Sequence, residues 1–169
     1  MTKPQDVDGV LADINGKVKP GSLVVSFAAG KKISTISNGL NGQNPVVRVM
    51  PNTPTLVGKG AAGFSLGSGV TEHQKKFVID FLTAAGVAVE VDETLQDAVT
   101  ATSGSGPAYF FAFVESMVKG AVDLGLTEEV ATQLTVQTII GAAELLATSG
   151  KSATTLRENV TSPNGTTYA

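Results

Sequence analysis

The segment Pro107–Leu124 constrains the fold of this chain most. Phe110, Phe111, Phe113, Val114, Met117, Val118, Ala121 and Val122 fall around most of a helix rather than along one stripe. A helix apolar on every side needs partners on every side. Pro107 falls at its first position, where a missing N–H costs nothing, and Gly125 ends it. Thr127 caps a second helix, Thr127–Thr148, carrying Val130, Leu134, Ile139, Ile140 and Leu145 before Gly150 stops it. A lone helix pair cannot cover so much apolar surface. The C-terminal half is therefore expected to pack against another subunit or against polypeptide missing from this chain.

The first half reads differently. Ser22–Ala28 and Val46–Met50 are short, β-branched and bounded by Gly, Asn or Pro, as buried strands are. Ala61–Leu66 and Val87–Val91 read the same way. Between these two, Thr71–Ala85 places Phe77, Val78, Phe81 and Leu82 at helical spacing, with Thr71 as N-cap and Gly86 as stop. Glu93–Thr102 reads as a short helix. The expected architecture is an α/β part followed by an all-α part, with the break near Asp92: residues 1–92 and 93–169.

Composition narrows the function. A net charge of -3 gives no electrostatic case for nucleic acid or an anionic membrane. No uninterrupted apolar run reaches the roughly 18 residues of a spanning helix, and the start lacks the regions of a signal peptide. The absence of cysteine excludes disulfides, thiolate metal sites and a cysteine nucleophile, and fits a cytoplasmic location. The one histidine, His73, sits among Glu72, Gln74 and Lys75 at a helix start. No metal site is expected.

Three runs marked by glycine or proline remain: Arg48–Pro54 (RVMPNTP), Ser103–Tyr109 (SGSGPAY) and Asn159–Tyr168 (NVTSPNGTTY). The last sets Pro163 and Gly165 between the hydroxyls of Thr161, Ser162, Thr166 and Thr167. Such a loop can gather N–H and O–H donors on a small carboxylate without a cation. Each run taken singly also reads as an ordinary polar turn.

With Lys3-Pro4-Gln5 and Ala28-Ala29-Gly30, these runs form an ordered set that resembles the pyrroline-5-carboxylate reductase family. The other members of the set are Met50-Pro51-Asn52-Thr53-Pro54, Ser103-Gly104-Ser105-Gly106-Pro107-Ala108 and Ser162-Pro163-Asn164-Gly165-Thr166-Thr167. The resemblance runs from Lys3 to Ala169. It implies the later part of a Rossmann-like nucleotide-binding domain followed by a helical dimerisation domain. It also implies hydride transfer from NADPH (or NADH) to 1-pyrroline-5-carboxylate, giving L-proline. The cofactor does the hard step there, so a site of hydroxyls, glycines and prolines suffices.

By that resemblance Ser162, Gly165, Thr166 and Thr167 hold the substrate carboxylate, and Thr167 serves catalysis by hydrogen-bonding the ring nitrogen. Asn159 meets the nicotinamide amide. Ala28, Ala29, Met50, Pro51, Asn52 and Thr53 line the nicotinamide ribose, and Lys3 and Pro4 lie near the cofactor phosphates or ribose. Ser103–Gly106 brings the helix that follows close to the nicotinamide. The two long helices form a homodimer or higher oligomer, with the site completed across subunits.

Two departures qualify the resemblance. The family opens on a strand and a G-x-G-x-x-G turn before a helix. Here Gly58, Gly60 and Gly63 have that spacing but precede a strand-like run, so the context fails. The family also continues past the Thr-Thr loop. Both ends are therefore expected to be missing, with little or no activity in the isolated chain. Asn164 replaces a usual glycine, a substitution that positive φ tolerates. The alternative reading is a non-catalytic helical assembly module derived from the same family. A β-hydroxyacid-type reductase fits poorly, because Lys119 lies too far along its helix to be the catalytic lysine.

Overall fold

A computed structural model describes residues 3–161 and Gly165. The chain divides into two compact units, Met1–Tyr109 and Phe110–Ala169.

The first unit is built on a four-stranded mixed sheet of β1 (Val24–Ser26), β2 (Val46–Met50), β3 (Gly60–Leu66) and β4 (Gly86–Glu90), side by side in chain order. β1 runs parallel to β2 and β3 parallel to β4, while β2 and β3 are antiparallel. The connections dictate these directions. Helices α2 (Ile33–Gly39) and α3 (Glu72–Thr83) make the two parallel crossovers, whereas only a short 3-10 turn, Thr53–Val57, joins β2 to β3. Helix α1 (Val7–Ile14) precedes the sheet.

Successive residues of β2 point to opposite faces. Val46 packs with Val7 and Leu11 of α1, Ile36 of α2, Leu40 and Ala28. Val47 and Val49 pack with Ala62, Phe64 and the α3 residues Val78 and Leu82. β2 is thus covered on both sides, as its run of apolar residues, interrupted only by Arg48, indicates.

Three of the four expected strands appear within a residue of their expected ends. The first is shorter than Ser22–Ala28, because the buried Asn44 amide donates to the carbonyls of Lys19 and Ser22 and holds the run's start in a turn. Its end bends where the Ala28 N–H meets Ser26 Oγ at 3.4 Å. Thr71 caps α3 as expected, and Gln74 completes a reciprocal capping box. Gly86 does not stop that helix, which ends at Thr83 with Ala84 as its cap. Gly86 instead opens β4 with φ 150°, pressed against the Gly60 backbone.

The expected helix Glu93–Thr102 is three consecutive turns: a 3-10 turn Glu93–Leu95, helix α4 (Gln96–Val99) and a π turn Thr100–Gly104. The Ser105 N–H donates to Thr100 O at 2.8 Å and closes the π turn. The hydroxyls of Thr100 and Ser103 bond the carbonyls four residues back, which loosens a regular helix. Gly58, Gly60 and Gly63 fall at the end of the 3-10 turn and within β3, so their fingerprint spacing has no helix to serve.

Helix α5 (Gly106–Asp123) starts one residue before its expected Pro107. In the second unit, Gly125 ends α5 with φ 104°, and the Thr127 hydroxyl caps α6 (Glu128–Thr148). Helix α7 (Ala153–Val160) follows, capped by Ser152. The expectation of all-round burial is not met within one chain. No residue of α5 is buried, and α6 buries only Ala131 and Thr135. Phe110, Phe111, Phe113, Leu134 and Ile140 stand exposed. α6 is also long and apolar enough to cross a membrane by length and composition. Gln133, Thr135, Gln137 and Glu144 interrupt it, so it contains no continuous apolar run of about 18 residues.

Candidate functional site

In the first unit the expected site residues gather where β1 and β2 end. The two strands are parallel with Ser26 opposite Arg48, so Ala28–Ala29 and Met50–Thr53 leave the sheet at the same edge. Crevices outside the carboxyl ends of parallel strands are where open α/β sheets bind ligands. Ala28 is buried against Val7, while Ala29 and Gly30 are exposed, Gly30 with φ 72°. Pro4 begins the 3-10 turn that leads into α1, and Lys3, exposed, accepts the Asp6 N–H. A Lys31–Asp8 ion pair of 3.2 Å links α1 to the turn after β1.

The Met50–Thr53 turn is held from two sides. Asn52 Oδ1 accepts the Ala61 N–H at 2.9 Å, which ties the turn to the start of β3. Asn52 therefore has a structural duty that its sequence context did not reveal. Met50 lies with its terminal methyl against Gly104, a position where a Cβ would collide with it. The runs Arg48–Pro54 and Ser103–Tyr109, far apart in sequence, thus meet at Met50 and Gly104. Pro51 is half-buried and Thr53 exposed.

The third run belongs to the second unit. Asn159 is exposed in the last turn of α7, two residues before the cap at Thr161. Gly165 is half-buried in a bend. Ser162, Thr166 and Thr167, with Pro163 and Asn164, lie outside the described residues.

A polar network behind the Met50 turn was not anticipated. Arg48, 6% exposed, reaches Glu93 Oε1 at 3.4 Å and Asp97 Oδ1 at 3.9 Å. The same Glu93 oxygen accepts the Ile33 N–H at 2.6 Å. Beside it the fully buried Gln96 donates to Ser65 Oγ at 2.8 Å, and Ser65 donates to Val91 O. These bonds fasten residues 93–97 to the sheet and so set where Gly104 meets Met50. The signal was an arginine inside an apolar strand, since a buried guanidinium requires a carboxylate partner.

Few groups here are tuned for proton transfer. The Thr94 hydroxyl and N–H hold the Asp92 carboxyl below its ordinary range, and Glu90 at 2.6 Å raises the Lys75 ammonium above its own. Both pairs lie at the surface. No group of acidic or histidine side chains able to hold a metal occurs among the described residues. Small residues, open backbone and apolar contacts suit the edge to a planar organic ligand rather than to acid–base work.

Comparison with known proteins bears on what that ligand is. Residues 93–169 match the family described as pyrroline-5-carboxylate reductase dimerisation. A pyrroline-5-carboxylate reductase of Arabidopsis thaliana is 42% identical over 167 residues, which are 99% of this chain and 60% of the plant protein. One from Pseudomonas aeruginosa is 44% identical over 168 residues, again 99% of this chain and 62% of the relative. The crystal structure of Plasmodium falciparum pyrroline carboxylate reductase with NADP bound superposes with a TM-score of 0.91 at 35% identity. That match covers 99% of this chain and 67% of the other. The chain thus spans about three fifths of the length of these curated relatives.

Proposed function

Because the chain belongs to the pyrroline-5-carboxylate reductase family, we propose that it serves the reduction of 1-pyrroline-5-carboxylate to L-proline by NADPH (or NADH). The observation that carries this reading is the meeting of Met50 and Gly104 at the carboxyl ends of β1 and β2. That edge fits a nicotinamide riboside: Ala29 and Gly30 leave backbone open, and Met50 and Gly104 offer a flat apolar contact.

The cofactor, when bound, supplies the hydride. The chain's own residues position and exclude water. Ala28, Ala29, Met50, Pro51, Asn52 and Thr53 line the nicotinamide riboside, with Lys3 and Pro4 beside its phosphates and Asn159 at its carboxamide. The π turn keeps Ser103–Gly106 close through the Arg48–Glu93 fastening. Ser162, Gly165, Thr166 and Thr167 take the substrate carboxylate through N–H and O–H donors, and Thr167 hydrogen-bonds the ring nitrogen. We place the functional boundary at Asp92, with 1–92 on the cofactor and 93–169 on substrate and pairing. Exposed Phe110, Phe111 and Phe113 on α5 and Leu134 on α6 support a homodimer. A cytoplasmic location agrees with the lack of cysteine.

The test is selective binding of product. Proline should bind to the purified chain, while pyrrolidine, which keeps the ring and lacks the carboxylate, should bind at least about tenfold more weakly. Thr166→Ala and Thr167→Ala should each weaken proline. Equal binding of the two amines, or none of either by a folded chain, overturns the proposal.

A further inference from the structure

We infer that Glu93 is a positioning residue for cofactor binding: its carboxylate sets the spacing between the turn that leaves β1 and the segment that carries Gly104. The role rests on the cofactor edge proposed above, and Glu93 itself touches neither cofactor nor substrate.

The need for such a tie follows from the sheet. Val46 and Arg48 share one face of β2, and on that face Val46 packs with Ile36 of α2. In the register of β2 and β3, Arg48 lies opposite Ser65 and Met50 opposite Gly63. Paired residues share a face, so all of these point the same way. Ser65 is bonded by Gln96, and Gly63 lies under Val99. Two bodies therefore pack on one face, α2 and residues 93–104. The turn holding Ala28, Ala29 and Gly30 leads into the first, and Gly104 ends the second.

Glu93 joins them. Its Oε1 accepts the Ile33 N–H at 2.6 Å, at the first residue of α2 and three residues past Gly30. The same oxygen meets the Arg48 guanidinium at 3.4 Å, two residues before Met50. One atom is thus tied to all three runs that form the edge. Among the described residues no other hydrogen bond or ion pair runs from residues 28–40 to 93–104. Packing does not replace it, because an open cavity bounded by Ile33, Gly67 and residues 90–93 lies beside the bond.

Arg48 has one looser partner, Asp97, which is 94% exposed and stands at 3.9 Å. A planar guanidinium holds a well-placed carboxylate in a fixed direction, and Glu93 is the one within its buried reach. Without Oε1, α2 and residues 93–104 are free to move apart, and the slot between Ala29 and Gly104 changes width. Shifts of about 1 Å at a distance from a bound reactant are enough to spoil its alignment.

NADPH titrated into the purified chain with proline present, followed by its fluorescence, gives the dissociation constant. Glu93→Ala should raise it about tenfold, and Glu93→Gln, whose amide oxygen keeps the Ile33 bond but not the Arg48 pair, about threefold. Thr71→Ala, which removes the cap of α3 on the opposite sheet face, should stay within about twofold of wild type. Circular dichroism establishes that each variant is folded, and Glu93→Gln decides if Glu93→Ala is not. A second readout needs no cofactor. The Met50 methyl, one of three methionine methyls in the chain, should show an Overhauser contact to Gly104 that weakens in Glu93→Gln. Glu93 variants that bind like wild type, or lose no more than Thr71→Ala, overturn the inference and leave the cofactor reading standing. A folded wild-type chain that does not bind NADPH overturns that reading, and an unchanged Met50–Gly104 contact in Glu93→Gln overturns the positioning role on its own.

Discussion

Replacing Gly63 by alanine should destabilise the first unit by about 2 kcal/mol, within the usual range for overpacking. The added methyl would lie 2.6 Å from Val99 Cγ1 and 2.9 Å from its Cγ2, well inside contact distance. Valine is stiff at χ1, so neither methyl can swing away cheaply. Relief must come from moving α4 off β3. With a urea slope of about 2 kcal/mol/M, the unfolding midpoint should fall by about 1 M. Val99→Ala alone removes two half-buried methyl groups and should cost about 1 kcal/mol. In the double variant the collision is gone, so its loss should be smaller than the sum of the single losses by more than about 1 kcal/mol. Urea titrations of the four proteins, followed by circular dichroism, measure the cycle. A wild-type midpoint for Gly63→Ala, or strict additivity in the double variant, would refute the close approach of α4 to β3. Gly104→Ala is the built-in contrast. Its obstacle is the mobile end of Met50, so it should cost less than about 1 kcal/mol.

Glu93→Gln should destabilise the chain by about 1–2 kcal/mol, below the loss for a fully buried pair because Glu93 is 31% exposed. The amide oxygen still accepts the Ile33 N–H, so a loss seen in urea titration reports on Arg48, and an unchanged midpoint would show that Asp97 alone satisfies it. Gln96→Met should be within about 1 kcal/mol of wild type. Among the described residues the buried Gln96 Oε1 has no partner, and removing it offsets the lost bond to Ser65. A loss well beyond that, by thermal unfolding, would mean the oxygen is bonded after all. Asp92 titrates below its ordinary 3.8 because the Thr94 hydroxyl and N–H stabilise the carboxylate. A depressed value contributes stability that is full above 3.8 and is lost as pH falls through the folded value. Carboxyl carbon shifts should show a midpoint below 3.8 that Thr94→Val raises, and a midpoint at or above 3.8 in the wild type contradicts the turn.

Much of the fold was legible where local signals agree with one another. Val46–Met50 is bounded and wholly apolar save Arg48, and Thr71 and Thr127 are ordinary caps, so β2, α3 and α6 stand where the residues place them. α1 and α2 were not legible. α2 is Ile-Ser-Thr-Ile-Ser-Asn-Gly, a sequence of poor helix formers that is held by burial of Ile36 against the sheet rather than by propensity. The π turn was hidden because Thr100 and Ser103 read as ordinary helix residues, whereas their hydroxyls bond the carbonyls of Gln96 and Val99. Of the candidate site, the ordered motifs named the turns at Ala28 and Met50 but not what holds them. Asn52, read as a ligand contact, bonds the Ala61 N–H. Arg48 was seen only as part of a strand, although its burial with Glu93 organises the junction that brings Gly104 to Met50.

If the chain presents the nicotinamide side of a reductase site, as proposed, saturation-transfer NMR of NADPH reads it directly. With the purified chain and proline present, the nicotinamide protons should receive more saturation than the adenine protons. Omitting proline should weaken the effect. Adenine-dominated or uniform transfer, or none from a folded chain, would contradict the account.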